Sequence, residues 1–530
     1  MKKLEPWQQG ESMFAYIQQH IDESGFFTEN SLPDKGIAVT DSVTSLELGA
    51  TDAYLSTTQD LVEHPMGVRL YKKLQDYISN STEENAIALY FDVCSTPCIV
   101  YHESLIDKLE KQRIPTELKA LTLKWLYQSS HREAIKFSII MAGLILLNPA
   151  TEEEGEKLKE ALLLLAKCEE FTCYVLFSLD LSNTMDKKDV WDIMQHTNGW
   201  GKISAMEEYV FTTTEEKEWL QCHGCQLSVS YPSIALLVLK YVDVLEVLKQ
   251  PAISHSVYRG MQAMVHNYLL FLLNHEDEEH DDFADEEELP ALSVYLVIDK
   301  LLEHSKKVAS TLEDLAGLIN LSEVLTVFAE NSLWQHFSSN QCHLLLSATE
   351  QLIFQKKWEP LIIEQLITKG EAVNELAAGL AMVLNLNVRP QLLKLLKKHP
   401  QQTGLYLFLL QTNNMRSFNS VLKFAKEHLK EYTATEEPLK PILTALAHTS
   451  GEGADIVAAG LTSIYDGTRA YALSTLENWA PEAVTPELKV ALIKARNMCQ
   501  HPLLSMRIEL LLMRKSGDLD NFMDYLNSLK

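Results

Sequence analysis

Glycine is scarce in this chain, 20 of 530 residues, where average usage of about 7% would give nearly twice as many. Nucleotide-binding α/β folds need glycines at their tight phosphate turns, so the scarcity argues against them. No Gly-x-Gly-x-x-Gly and no P-loop stands in the sequence, and no cysteine has the glycine-flanked setting of a haem-thiolate enzyme. Cysteine is thin as well. The eight thiols, at 94, 98, 168, 173, 222, 225, 342 and 499, are too few for a disulfide scaffold of this size and suit a reducing compartment. Basic residues are outnumbered 46 to 73, giving a formal net charge of −27. Such a surface repels a phosphate backbone, which argues against nucleic acid and favours a basic partner. Long apolar runs are missing too. The longest, Phe137 to Leu147, falls short of the roughly 20 residues that span a bilayer. Lys2 and Lys3 have no apolar segment behind them, so no signal peptide is expected and the chain is predicted to be cytoplasmic.

What is present is a helical rhythm. Hydrophobic residues make up 46% of the chain, ample for a packed core. Two C-terminal segments repeat one theme: Tyr465-Asp466-Gly467-Thr468-Arg469 and Gln500-His501-Pro502-Leu503-Leu504-Ser505-Met506-Arg507 each open an apolar helix, with the arginines 38 residues apart. Ala470, Leu473, Leu476 and Ala480 follow the first at helical offsets, and Ile508, Leu511 and Leu512 follow the second. A two-helix unit of about 40 residues cannot bury its apolar face alone and must stack on neighbours. The sequence therefore predicts an all-α, HEAT/armadillo-like superhelix. His131-Arg132-Glu133-Ala134-Ile135 resembles the same arginine-led opening.

The organisation divides in four. Residues 1–60 carry enough Gly, Ser, Thr and Asp to predict a less regular N-terminal cap, a short helix followed by loops or a small hairpin. Residues 61–274 form the first half of the repeats. Helices are predicted at 66–79, 83–93, 102–111, 116–128, 131–147 and 152–167. Residues 275–290 hold ten acids and no Lys or Arg, predicting a solvated acidic loop. Residues 291–530 form the second half, with helices at 290–304, 311–329, 341–353, 358–367, 371–384, 389–398, 402–411, 416–429, 437–447, 453–464, 468–479, 485–498 and 502–514, and no competing strand pattern.

Candidate chemistry is sparse. Cys222-His223-Gly224-Cys225 could chelate zinc or form a redox pair, but no second Cys-x-x-Cys follows, and His255 and His266 stand alone. The alternative is a helix end closed by Gly224 with one cysteine packed inward. Cys94 with Cys98, and Cys168 with Cys173, have helical spacing that places each pair near one face as buried apolar groups. His275 and His280 in the acidic loop could join carboxylates around a metal, though the order is not that of an EF-hand. Lys394, Lys397, Lys398 and His399 form the best basic stripe, also explained as a helix C-terminus favoured by the dipole. Asn198-Gly199-Trp200-Gly201-Lys202 is the most glycine-rich piece and predicts a turn between helices, with Asn198 and Gly199 at positive φ. Trp191, Met194 and Met206 read as core. Thr212 or Thr213 is expected to cap a helix, with Glu215 or Glu216 completing a capping box and Trp219-Leu220 facing inward. No nucleophile with a paired base can be named, so no catalytic residue and no cofactor-binding residue is assigned.

The stretch Trp191 to Cys225, with Asn198-Gly199-Trp200-Gly201-Lys202-Ile203, Thr213-Thr214-Glu215-Glu216, Glu218-Trp219-Leu220 and Gly224-Cys225, resembles a Bacillus-type family of helical-repeat proteins. Several of its members are labelled limonene hydroxylase. After Ile203 this chain runs Ser204-Ala205-Met206-Glu207-Glu208-Tyr209, where the family pattern has a His, Val, Glu, Arg succession. The resemblance implies an oxidoreductase, a monooxygenase hydroxylating the small hydrophobic terpene limonene, with NAD-dependent dehydrogenation of the resulting alcohols. The residues themselves point to a scaffold binding a protein or peptide partner. Oxygen activation needs a flavin, a haem or a metal, and no binding pattern for any of them is visible in the sequence.

Overall fold

The computed structural model describes residues 5–34, 47–58, 65–109, 112–275, 293–330, 338–368, 371–411, 414–499 and 502–513. These build an all-α protein. Among them the only strands are the pair Ile367–Thr368 and Ala372–Val373, antiparallel with Ile367 opposite Val373. That hairpin corrects the expectation of a helix from 371. Helix starts instead at Glu375, because the Asn374 side chain accepts from the Ala377 N–H and sets the N-cap there. The remaining expected helices fall where the periodicity places them, most within two or three residues of the observed ends. The acidic segment beyond His275 lies outside the described residues.

Packing separates two compact units, the first running to His304 and the second from Ser305. In the first unit the central element is Arg132–Leu146. It packs against Glu83–Cys94, Thr116–Gln128, Glu152–Leu165 and Thr172–Leu181, and every residue from Glu133 to Leu146 is buried. A helix buried all round must lie inside something. Here it is the protein's own core, and no helix among the described residues is long and apolar enough to cross a membrane.

The N-terminal segment is part of that core. Trp7 is buried against Trp125 and Tyr90 at centroid distances of 6.0 and 5.6 Å. The helix Met13–Gln19 packs on Thr116–Gln128 and on Glu152–Leu165, and the Met13 N–H donates to the Ser129 carbonyl. A bridge between Ile21 and Phe27 forms a small hairpin, and Ala50–Thr58 is helical.

Among the described residues, the last five α-helices of the second unit repeat one packing rule. Leu439–Leu446 contacts Asp466–Asn478, which contacts Pro502–Met513, while Ala454–Leu461 contacts Pro486–Met498. From Leu439 to Met513, each helix thus meets the next helix but one. Three side chains stitch the first of these rows: Thr468 Oγ1 donates to the Glu436 carbonyl, Thr475 Oγ1 to Leu443 and Trp479 Nε1 to Leu446, at 2.9, 2.9 and 2.8 Å. The two arginines of the repeat differ in their partners. Arg469 turns back on its own helix start, to Asp466 and the Ser463 carbonyl; Arg507 reaches the previous row, pairing with both oxygens of Glu477.

Thr213 caps Thr214–His223, and Glu216 completes the capping box. The Glu216 carboxylate also takes the Thr212 N–H, the Tyr209 hydroxyl and the Lys187 ammonium, which together hold it well below the usual carboxylate range although burial opposes this. Leu220 is buried, while Trp219 is half-buried against Trp191 at 5.2 Å. Thr213→Ala should lower stability by about 1 kcal/mol, read as a shift in urea midpoint at constant slope; an unchanged midpoint removes the cap from the account.

Candidate functional site: a cavity beside a buried ionic cluster

The central helix begins with charge inside an apolar environment. Lys136 is 1% exposed, and its Nζ lies 2.7 Å from Asp52, 2.7 Å from Glu170 and 3.2 Å from Glu133. Three acceptors satisfy the three protons of an ammonium. Next to it, Arg132 pairs with Asp34 at 2.8 Å and with Glu170 at 3.2 Å. Four carboxylates therefore share two cations. Their protonation divides accordingly. Burial raises the Asp52 carboxyl, only partly offset by Lys136. Burial also pushes Glu133 up to about 7, against the same ammonium. Glu170 moves the other way: burial would raise it, but Lys136, Arg132 and the Gly49 N–H together hold it down. Lys136 itself stays well above its ordinary value because the three carboxylates outweigh its burial. This cluster ties residues 34 and 49–52 to the first turn of the central helix.

Glu169, one residue before Glu170, holds the other side. Its carboxylate accepts the backbone N–H groups of Asn198, Gly199 and Gly201, the first two at 2.7 and 2.8 Å. The N-terminus of Trp200–Glu207 is thus filled by an internal anion, the arrangement that a helix dipole favours. Neither Asn198 nor Gly199 has positive φ, correcting the turn expected there; Gly199 has φ −121°. Glycine is needed at 199 and 201 for closeness instead. A Cβ on Gly201 would overlap Thr172 Oγ1, and one on Gly199 would lie 2.9 Å from Ser228 Oγ.

Between these two anchored walls lies a cavity of about 500 Å³, lined by Phe26, Phe27, Glu29, Asn30, Glu47, Leu48, Lys167, Glu169, His196, Thr197, Asn198, Gly199, Ser228 and Val229. Its size falls in the range of small-molecule sites. The His196 ring is fixed by Nδ1, 2.7 Å from the Asp192 carbonyl, and Phe26 packs edge-on against it at 5.5 Å. Lys167 lies 3.5 Å from the Asp192 carboxylate.

A second lysine lacks a carboxylate partner. Lys202 Nζ donates to the His223 and Gln226 carbonyls at 2.7 and 3.0 Å and sits 5.2 Å from the Trp219 ring. Burial lowers it to about 8. It closes the C-terminal end of Thr214–His223, where a cation suits the dipole.

The residues singled out in sequence lie elsewhere or apart. Cys222 is on the last turn of Thr214–His223, Cys225 is buried just beyond it, and both are free thiols. Among the described residues no group of His, Cys, Asp and Glu is placed to hold a metal ion. His255 and His266 lie on one helix, His255–His275; burial lowers His266. His280 is outside the described residues. Cys94 ends one helix and Cys98 opens a 3-10 turn, and Cys168 precedes the helix that holds Cys173. Neither pair shares a helix face, since Pro97 and the turn at 168–171 break the period. Lys394, Lys397 and Lys398 are exposed in Arg389–Lys398 with His399 as its C-cap, the last two lysines in its final turn. Met194 and Met206 are buried, and Trp191 is half-buried.

The cavity and the ionic cluster were missed by sequence reasoning. One signal was available: Glu133 and Lys136, three apart, interrupt a helix that is otherwise apolar on every side. NAD does not fit at the glycine-rich turn, because the amides that would cradle a pyrophosphate already bind Glu169. Comparison of the chain with protein-family models, with curated proteins and with solved structures found no match.

Proposed function

We propose that this chain is a helical-repeat scaffold, a HEAT-like superhelical array that binds a basic protein or peptide partner in the cytoplasm. The observation that carries this reading is the packing of the last five described helices of the second unit, Leu439 to Met513, in which each helix meets the next but one. Arrays built this way present extended binding surfaces made from successive helices. A net charge of −27 selects against acidic ligands and attracts basic ones. The test is fluorescence anisotropy with Lys/Arg-rich 15-residue peptides against Asp/Glu-rich peptides of equal length. Basic peptides should bind, weakening steadily as salt is raised; equal binding of both sets, or none of either, overturns the reading.

A second reading, the limonene hydroxylase with NAD-dependent activity that the resemblance implies, has one observation in its favour. The cavity lies against Asn198 and Gly199 of the resembling stretch and has Phe26, Phe27, Leu48 and Val229 on its walls. Turnover of limonene by purified protein supplied with NAD(H) and candidate redox cofactors tests it. A hydroxylated product would establish it in place of the scaffold.

A further inference from the structure

We infer that the cavity between Phe26–Asn30 and Asn198–Gly199 is a binding site for an organic cation, an ammonium or guanidinium group on an apolar stem. Three glycines shape it. Gly25 has φ +89°, and a Cβ there would lie 2.7 Å from the His196 ring. Gly49 has φ +82°, and a Cβ would lie 2.9 Å from the Glu169 carbonyl oxygen. Gly199 leaves no room for a Cβ against Ser228. In a chain with so few glycines, three of them bring separate segments into contact around one space. Both walls are then fixed by carboxylates, Glu170 holding the Gly49 amide and Glu169 the amides of the 198–201 turn. The site is pre-formed, so a ligand meets little ordering cost.

Its chemistry selects the ligand's charge. Glu169 is committed to three N–H groups, and Asp192 faces both Lys167 and His196. Glu29 and Glu47 line the same cavity, and among the described residues their carboxylates make no hydrogen bond or ion pair. The side chains of Asn30, Asn198 and Ser228 are likewise without hydrogen bonds. Two uncompensated carboxylates, three uncommitted polar groups and two phenylalanine rings suit a cation with an apolar body, the charge meeting the carboxylates and the ring faces. The cation has two sources, a free amine or a Lys or Arg side chain of a bound chain; the second rests on the proposed basic partner, the first does not.

The test uses full-length protein and calorimetric titration with hexylammonium and hexylguanidinium, with hexanoate and limonene as anionic and neutral counterparts. The cations should bind and the counterparts should not. The double variant Glu29→Gln, Glu47→Gln should weaken cation binding at least about tenfold with an unchanged melting temperature, since both residues are exposed. Absence of binding at millimolar cation, equal binding of hexanoate or limonene, or cation binding untouched by the double variant overturns the site. Competition by a capped Ala-Arg-Ala peptide assigns the site to a partner's side chain, and failure to compete assigns it to a free amine. Cation binding here with no binding of any basic 15-residue peptide overturns the scaffold and leaves the cavity site standing; the reverse result removes the site alone.

Discussion

Lys136→Met should be among the most damaging single substitutions in the chain, costing about 3–5 kcal/mol. The methionine fills the space, so the loss is electrostatic: Asp52, Glu133 and Glu170 remain buried around a missing ammonium. The pH dependence separates this from a packing defect. Without the cation, the carboxylates have folded-state pKa values raised above the unfolded ones, so the folded state binds more protons. Stability then falls as pH rises from about 4 through the raised values. The wild type already shows the tendency at Glu133, held up at about 7, while Glu170 is depressed and contributes stability that is lost on acidification. Thermal melts of both proteins at pH 5.5 and pH 8 should show a smaller deficit for the variant at the lower pH. An equal deficit at both would show that burial of charge is not the cause.

The second large effect is expected at Glu169. Its carboxylate is the acceptor for three backbone amides at a helix start, and hydrogen bonds to a charged group contribute about 1.5–3 kcal/mol each. The site is half-buried, and water will replace part of what is lost, so Glu169→Ala should cost about 2–3 kcal/mol. The local signature matters more than the total. Amide hydrogen exchange at Asn198, Gly199 and Gly201 should accelerate by more than global destabilisation explains, and cation binding to the cavity should fall with it. Retained protection at those three amides would mean that the turn is held by its packing alone. Glu169→Gln keeps one acceptor oxygen and should lie between the two.

Much of the fold was legible because helices obey a local rule. Apolar residues three and four apart place Leu118, Leu121, Trp125 and Leu126 on a buried face, and Thr213 with Glu216 marks a helix start within four residues. The misses have equally local reasons. The strand pair at 367–373 is only two residues per side, too short for a period to show. Asn198-Gly199 read as a positive-φ turn because those residue types favour one; Glu169, 29 residues earlier, holds the backbone otherwise. Cys94 and Cys98 kept helical spacing across Pro97, which ends the helix between them.

By itself the sequence determined the class of structure: glycine scarcity, the helical period and the 38-residue echo of Arg469 and Arg507 lead to packed helices without knowledge of their arrangement. It also determined the sign of the surface, since net charge needs no geometry. Tertiary structure alone decided where chemistry gathers. Lys136 meets Asp52 across 84 residues, and Gly49 meets Glu170 across 121. Hydrophobic periodicity carries no information about which buried charges will face one another. The cavity exists because glycines at 25, 49 and 199 let separate segments approach, and such an approach becomes visible only when the chain has folded.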